Sequence, residues 1–227
     1  SYRMKDIMEE KYQKPSVTVD IVIFTIQSND LKVLLVKRDI LPFKGKWAIP
    51  GGFVKLDESL EDAAKRELLE ETGVKNVYLE QLYTFGNPKR DPRGRVITVS
   101  YMALVNSENI NLKATTDVSE VQWFAVNKIP PLAFDHKTIL DYALQRLKWK
   151  FEYTTVAFSL LGKEFTISQI QNIYEIVFNK EFDKRNFAKK LLSLEILKEE
   201  RIKKDVSHRP PMLYSLKKNI GEIIEII

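Results

Sequence analysis

The first 126 residues consist mainly of short, β-branched apolar runs separated by polar turn residues, a pattern typical of strands. Residues 16–26 (SVTVDIVIFTI) and 31–39 (LKVLLVKRD) are two such runs. Asn29 and Asp30 lie between them and favour a turn, so the two runs are predicted to pair as a hairpin. Further strands are predicted at residues 47–49, 77–85, 96–105 and 118–126.

One helix is predicted among these strands, over residues 60–71. Ser59 is a favourable N-cap, and Glu61 and Asp62 suit the positive end of the helix dipole. Gly73 tolerates the left-handed backbone conformation that ends many helices. Because two strands, a helix and further strands follow one another, the order indicates an α+β sandwich and not a repeated βαβ array.

From residue 136 onwards the pattern becomes helical. Residues 136–150 carry apolar side chains at helical spacing, which predicts an amphipathic helix. The character of the sequence changes after this helix. We therefore predict one domain over residues 1–150 and a smaller second domain over residues 151–227.

The smaller domain contains two short helix patterns followed by a basic, hairpin-like segment. Ser168 and Gln171 have the spacing of a capping box at the start of the first helix, and Asp183 is placed to cap the second. Two helices joined by a tight turn and followed by a hairpin describe a winged helix-turn-helix. The residues expected to contact double-stranded DNA are Lys184, Arg185, Asn186, Lys189, Lys190 and Arg209.

Charge supports DNA as a partner only locally. The formal net charge of the whole chain is +5, which permits an anionic partner without demanding one. Residues 184–204 hold 8 basic and 3 acidic side chains, so positive charge is concentrated on the second helix and the wing. A helical packing or dimerisation module is the alternative function of this domain.

Composition argues against several classes of protein. A hydrophobic content of 44% with 30% charged residues is that of an ordinary globular protein. No segment approaches the roughly 20 apolar residues of a membrane helix, and the N-terminal residues lack an apolar signal core. The absence of cysteine excludes disulfides and thiolate metal sites, which suits the cytoplasm as the location of the protein.

The strongest chemical signal lies in residues 51–74 (GGFVKLDESLEDAAKRELLEETGV). At about 100° per residue, Glu67, Glu70 and Glu71 fall within a roughly 100° arc of the predicted helix. Three carboxylates on one side supply the hard oxygen ligands that Mg²⁺ or Mn²⁺ prefers, and Mg²⁺ usually links carboxylates to substrate phosphates. The adjacent Gly51 and Gly52 let the backbone approach this cluster closely. A solvated, charged helix face is the alternative explanation.

The spacing of this segment resembles the Nudix box, G-x5-E-x7-R-E-U-x-E-E-x-G-U with U aliphatic, at every defined position from Gly52 to Val74. The resemblance implies a hydrolase of nucleoside diphosphates linked to another moiety, in which divalent cations activate water and neutralise the pyrophosphate. It also implies the roles of individual residues. The metal ligands would be Glu67, Glu70, Glu71 and the carbonyl of Gly51, with Arg66 orienting the ligands and Glu58 supporting the loop.

The catalytic base is predicted less directly, because the Nudix family places it variably. Glu120 is the candidate, since it comes from a different element, just before Trp123 and Phe124. The alternative is an exposed carboxylate at the edge of a strand.

The loop over residues 86–95 (GNPKRDPRGR) supplies candidates for substrate binding. Its guanidinium groups suit phosphate, and Asp91 can accept hydrogen bonds from a sugar. A charged surface loop is the alternative. The run also resembles the corresponding loop of Nudix proteins that recognise ADP-ribose, which favours ADP-ribose over another nucleotide sugar. The residues predicted to bind substrate are Arg38, Gly52, Arg90, Asp91 and Arg95.

Nearly the whole chain resembles the Nudix-related transcriptional regulators. The resemblance includes the predicted linking helix (PLAFDHKTILDYALQRLKWK) and the segments KEFDKRNFAKKLLSLEIL and HRPPMLYSL. In that family the Nudix domain senses ADP-ribose or a related metabolite, and the winged helix binds operator DNA as a dimer. Many members have a degraded Nudix box and only sense. Because this sequence keeps every box residue, we expect a regulator that retains hydrolase activity, with a non-catalytic sensor as the alternative. We expect a homodimer because a winged helix that reads a palindrome needs two copies.

Overall fold

A mixed sheet of seven strands forms the centre of the N-terminal part. The structure is a computed structural model and describes residues 14–73, 75–106, 110, 112, 118–202, 210–218 and 224–227. Strand β1 pairs in parallel with β6, and the other pairings are antiparallel. The strands are β1 (Ser16–Gln27), β2 (Asp30–Arg38), β3 (Trp47–Ala48), β4 (Gly51–Phe53), β5 (Tyr78–Phe85), β6 (Val96–Leu104) and β7 (Val118–Ala125).

The predicted hairpin is present, with its turn one residue earlier than expected. Ser28 and Asn29 take the two central positions with φ of 54° and 60°, and Asp30 already pairs with Gln27. Positive φ at both central positions gives the turn whose twist matches that of the flanking strands. The predicted strands are confirmed, with their ends shifted by at most one residue.

Helix α1 (Leu60–Thr72) begins where the sequence predicts and ends one residue later. The side chain of Ser59 accepts a hydrogen bond from the backbone N–H of Asp62 at 3.1 Å. Gly73 has φ of 70°, and its N–H bonds to the carbonyl of Leu69 at 2.8 Å. These caps fix the helix that carries most of the Nudix box.

Helices cover both faces of the sheet. On one face Ile21 and Ile23 pack with Leu68 of α1, whereas on the other face Val22 packs in the cluster that contains Leu140 of α2 (His136–Tyr153). Strand β1 is buried on both sides, which explains why its sequence is almost continuously apolar. The predicted α+β fold, a helix/sheet/helix sandwich, is confirmed.

The apolar core continues from the sandwich into the C-terminal part. Helix α2 extends three residues beyond its predicted end, and Phe151 packs on Tyr174 of α3 (Ile167–Phe178). The hydroxyl of Tyr174 donates to the carbonyl of Phe151 at 2.9 Å. The predicted boundary at residue 150 therefore falls inside a helix, and the division into 1–150 and 151–227 stays a prediction.

The C-terminal part has the predicted winged-helix architecture. Helix α3 is followed by α4 (Lys184–Ser193) and by the hairpin of β8 (Leu197–Ile202) and β9 (Met212–Leu216). Asp183 caps α4 as predicted, accepting from the N–H of Asn186 at 2.8 Å. Arg209, a predicted DNA contact, lies outside the described residues. Within the described part of the chain, no helix is long and apolar enough to cross a membrane.

The predicted capping box of α3 was wrong by two residues. Thr166 and Gln169 form it: the hydroxyl of Thr166 accepts from the N–H of Gln169, and the Gln169 side chain accepts from the N–H of Thr166. Both pairs have the capping-box spacing. The helix begins at the earlier pair because Phe165 is bonded in both directions to Tyr214 of β9, which ends the extended segment there.

Candidate active site and DNA-binding surface

A cavity of about 350 Å³ lies beside α1 and the end of β2. It brings together residues that the sequence predicts as metal ligands and as phosphate contacts. From the Nudix box the lining includes Gly51, Gly52, Arg66, Glu67, Glu70 and Glu71, and from elsewhere Arg38, Arg90, Asp91 and Arg93.

Arg66 joins the loop before α1 to the carboxylates of that helix. Its guanidinium donates to both oxygens of Glu58, at 2.7 and 3.0 Å, and to Oε1 of Glu67 at 2.5 Å. The bond with Arg66, together with the N–H of Lys55, lowers the pKa of Glu58 to about 2. Glu58 is therefore a fixed anion that holds Arg66, which agrees with the supporting role implied by the resemblance.

Glu67 lies in a tight space between Arg66 and the double glycine. It is buried, and burial raises the pKa of its carboxyl despite the bond from Arg66. A Cβ atom added to Gly52 would collide with Oε1 of Glu67, so the end of that side chain would have to move if another residue replaced the glycine. The prediction that the glycine pair allows close approach of backbone and carboxylate is thus realised at Gly52.

The three predicted metal ligands share one wall of the cavity without forming a ligand cluster. Glu71 is buried, whereas the side chain of Glu70 is 48% exposed, with Oε2 at 3.7 Å from Nη1 of Arg66. Among the described residues, no three acidic or histidine side chains are grouped closely enough to hold a metal ion. The donors themselves, carboxylate oxygens beside a glycine carbonyl, suit Mg²⁺ or Mn²⁺ chemically.

Arg90, predicted to bind phosphate, is engaged within the protein. Its guanidinium is almost fully buried and forms two hydrogen bonds to Asp135, at 2.7 and 2.9 Å. The same group lies 3.6 Å from Asp20. Two carboxylates thus neutralise the charge of Arg90 beside the cavity, and its binding of phosphate stays a prediction.

Asp91 and Arg95 also have partners within the protein, and their roles in substrate binding stay predictions. Asp91 accepts three hydrogen bonds from Arg93, one from its backbone N–H and two from its guanidinium. Burial opposes ionisation, but these bonds from Arg93 prevail and lower the pKa of Asp91. Arg95 lies away from the cavity lining, and its Nη1 donates to the carbonyl of Gly86 at 2.5 Å.

Glu120, the predicted catalytic base, lies apart from the cavity. It pairs in register with Lys37, whose Nζ is 2.8 Å from its carboxylate. Successive side chains of a strand point to opposite faces, and the residue before Lys37, Val36, lines the cavity. Glu120 and Lys37 therefore face the other side of the sheet, and Glu120 corresponds to the exposed strand-edge carboxylate of the alternative.

A buried polar group that the sequence analysis missed completes the cavity. Nδ1 of His136 accepts the backbone N–H of Ile49 at 2.9 Å, so the neutral ring carries its proton on Nε2, which lies 3.8 Å from Asp20. Burial lowers the pKa of His136. Asp20 also accepts from the hydroxyl of Thr98 at 2.7 Å. Asp20 is the one charged residue in the apolar run SVTVDIVIFTI, a signal that could have identified it.

The predicted DNA-binding residues of α4 form an exposed basic face. Phe187 and Leu191 are buried in the core, which turns the opposite side of the helix to solvent. In the described part of the chain, none of the four cations of this face forms an ion pair. The exposed residues are Lys184, Arg185, Asn186, Lys189 and Lys190.

Hydrogen bonds from two side chains of α3, Gln171 and Glu175, hold the turn between α3 and α4. Oε1 of Glu175 accepts from the N–H of Phe182 at 2.9 Å and from the side chain of Gln171 at 3.0 Å. Gln171 also donates to the carbonyl of Phe182 at 2.9 Å. These bonds fix the start of α4 relative to α3.

The chain matches two protein-family descriptions. Residues 14–145 match the NUDIX domain, and residues 157–216 match the NrtR DNA-binding winged helix domain. The chain therefore belongs to the family of Nudix proteins that carry an NrtR-type winged helix, and the resemblance drawn from the sequence is confirmed.

Two characterised relatives are similar to this chain over most of their own length. The chain is 38% identical over 207 residues to the ADPR responsive transcriptional repressor NtrR of Acinetobacter baylyi, covering 89% of this chain and 82% of the relative. It is 42% identical over 141 residues to the ADP-ribose pyrophosphatase of Methanocaldococcus jannaschii, covering 61% of this chain and 77% of the relative.

Two solved structures share the fold. Shewanella oneidensis NrtR complexed with a 27mer DNA superimposes with a TM-score of 0.81 at 36% identity, covering 92% of this chain and 99% of that one. The NUDIX domain of the same protein complexed with ADP ribose gives a TM-score of 0.55 at 40% identity, covering 63% of this chain and 98% of that one.

Proposed function

We propose that this chain is an ADP-ribose-responsive transcription regulator. The cavity binds ADP-ribose, and the exposed basic face of α4 binds double-stranded DNA. One observation carries this proposal. A single chain combines a cavity lined by arginines and carboxylates with a winged-helix fold whose helix α4 exposes four cations that form no ion pair within the described residues. The relatives support it, since one is a repressor responsive to ADP-ribose and another is a structure bound to DNA.

The cavity suits a nucleoside diphosphate because it has cationic and acidic parts. Arg38 and Arg93 line it and present planar guanidinium groups, which match phosphate oxygens. Glu67, Glu70 and Glu71 would repel a diphosphate in part, and a cation held beside them would offset that repulsion, while the arginines bind the phosphates with or without it. We assign these three carboxylates and the Gly51 carbonyl as the residues that would hold Mg²⁺ or Mn²⁺. Such an ion lowers the pKa of bound water and neutralises phosphate charge.

We further propose that the same cavity hydrolyses ADP-ribose. The specific observation in favour is the complete Nudix box, with Arg66 and Glu58 bonded as a unit that holds Glu67. In the reaction, water adds to one phosphorus and the bond to the bridging oxygen breaks, giving AMP and ribose 5-phosphate. A regulator with this activity would remove its own effector.

The working form is proposed to be a homodimer. Helix α4 has ten residues and offers four cations, which is a small contact surface for one copy on DNA. Two copies related by a twofold axis contact two half-sites of a palindrome, which doubles the contacts and fixes their spacing. Light scattering coupled to size exclusion, with and without DNA, measures the mass of the complex.

Fluorescence anisotropy tests the regulator directly. Labelled DNA from upstream of the gene that encodes the chain is titrated with protein, with and without ADP-ribose. The proposal expects binding that ADP-ribose changes and that AMP with ribose 5-phosphate does not. DNA binding that is indifferent to ADP-ribose would contradict the sensing role, and no binding to any such DNA would contradict the regulator.

A further inference from the structure

The turn before α2 supplies two side chains to the cavity lining, Phe134 and His136, and a third, Asp135, to a residue of that lining. We call residues 133–136 the AFDH turn. Asp135 holds Arg90, and His136 accepts from Ile49. Phe134 lines the cavity with φ of 51°, in the left-handed region that bulky residues rarely adopt. Such conformations persist where the surrounding structure enforces them, and they concentrate at functional sites.

Two guanidinium groups from different elements lie over the ring of Phe134. Cζ of Arg38, at the end of β2, is 4.9 Å from the ring centroid. Cζ of Arg93, in the loop between β5 and β6, is 5.6 Å from the same centroid and 5.1 Å from that of Phe53, so two rings contact this group. Two like charges repel each other, but the electron-rich face of an aromatic ring attracts both. The ring therefore holds two cations together at the cavity wall.

Both arginines are also anchored through their Nε atoms. Nε of Arg38 donates to the carbonyl of Pro42 at 2.8 Å, and Nε of Arg93 donates to Asp91 at 3.0 Å. Nη2 of Arg93 also donates to Asp91, at 2.7 Å, which leaves Nη1 of this group for a ligand. An anchored Nε and a ring beneath the guanidinium together limit the orientations of each group. Groups that are ordered before the ligand arrives lose less entropy when they bind it.

We propose that Phe134 is a positioning residue, which holds Arg38 and Arg93 so that they contact the two phosphates of a nucleoside diphosphate. This inference rests on the proposed function, because it takes ADP-ribose to bind in this cavity. It gives the strained conformation a purpose. Glycine would adopt φ of 51° without strain at this position, but it has no ring with which to hold the cations.

Calorimetric titration of the full chain in EDTA, which prevents turnover, tests the role of Phe134. The variants are Phe134→Gly, which suits the backbone, Phe134→Leu, and Phe134→Tyr, which restores a ring. We expect Gly and Leu to weaken binding of ADP-ribose and of ADP about tenfold and Tyr to keep the wild-type affinity. Adenosine, which has no phosphate, should bind all four proteins alike, a result that a general loss of structure would not give.

Phe43→Gly is the matched control. Phe43 has φ of 62°, and its ring lies 4.7 Å from that of Phe134, yet no guanidinium lies over it within the described residues. This control should bind ADP-ribose like the wild type. Unchanged ADP-ribose affinity in Phe134→Gly would overturn the inference and leave the proposed function intact. An equal loss for adenosine would also overturn it, because the ring would then act on the base. A wild-type protein that binds no ADP-ribose would overturn both proposals.

Discussion

Nδ1 of His136 accepts the backbone N–H of Ile49, joining the first residue of α2 to the segment just before the double glycine. The bond requires the neutral ring, because a protonated imidazole has no acceptor. The folded protein therefore resists protonation of His136, which agrees with the lowering of its pKa by burial.

Acid should destabilise the protein through His136. The pKa of His136 is 6.5 in the unfolded chain and lower in the folded protein, so below pH 6.5 the unfolded state binds more protons. The free energy of unfolding should then decrease as the pH is lowered, by at most about 1.4 kcal/mol per pH unit from this one group. Urea denaturation between pH 5 and 8 measures the slope. His136→Asn, which keeps an acceptor near Ile49 and cannot titrate, should flatten it. A slope that changes instead with His208→Asn, the only other histidine, would contradict the assignment.

Removal of the Glu70 carboxylate should separate hydrolysis from ligand binding. Glu70→Gln should reduce AMP formation from ADP-ribose in Mg²⁺ by at least about 100-fold, since even indirect partners of a metal commonly contribute 10- to 100-fold. ADP-ribose binding in EDTA should remain. Glu61→Gln, on the exposed side of α1 beside Lys65, is the control and should keep the activity. Equal rates for both variants would show that Glu70 is not a metal ligand.

Gly52→Ala should disturb the cavity through a steric clash. The added Cβ collides with Glu67 and must displace that carboxylate from Arg66, so we expect a loss of roughly 1–3 kcal/mol in the free energy of unfolding and a higher Mg²⁺ requirement. At Gly86 an added Cβ finds its nearest neighbour, Ile97, at an ordinary 3.8 Å. Gly86→Ala should therefore behave like the wild type. Similar effects of both substitutions in chemical denaturation would speak against the clash.

Breaking the Arg90–Asp135 pair should lower stability more than ligand affinity. Asp135→Asn leaves the buried guanidinium of Arg90 with a weaker partner, and loss of one member of a buried pair costs about 3 kcal/mol. Calorimetry on the folded variant should find an ADP-ribose affinity close to that of the wild type. A large loss of affinity at unchanged stability would instead support Arg90 as a direct phosphate ligand.

Binding to DNA should depend on the exposed face of α4. Arg185→Ala with Lys189→Ala should weaken binding and reduce the dependence of log K on log salt by about 0.9 per lost phosphate contact. Anisotropy titrations at several salt concentrations measure both quantities. The control pair, Lys128→Ala with Lys137→Ala, removes the same charge from the sandwich domain and should have little effect. An equal loss in the control would indicate attraction by net charge alone.

Elements with local signals were predictable from the sequence. Ser59 and Gly73 fix the two ends of α1 by contacts within one turn, and Asp183 does the same for α4. The Nudix box also lies within one short segment, so its spacing identified Arg66 and Glu58 as residues of the site, whereas the bond between them is seen only in the structure.

Residues whose role depends on distant partners were not predictable. Arg90 has the charge of a phosphate ligand, but in the structure its guanidinium binds Asp135, which lies 45 positions away in the sequence. Glu120 was predicted as the catalytic base from its position just before Trp123 and Phe124. The register of β7 with β2 instead turns its side chain away from the cavity. Phe134 and His136 stand in an ordinary-looking helix start, and only the folded chain brings them to Arg38 and Ile49.

Helix α2 runs without a break from the cavity to helix α3. Its 18 residues span about 27 Å at 1.5 Å per residue, with His136 at the cavity and Phe151 beneath α3. A rod of this length converts a tilt of about 3° at one end into a displacement of about 1.4 Å at the other. A small rearrangement of His136 around a bound effector would therefore move the residues that pack on α3, because no break interrupts the helix between them.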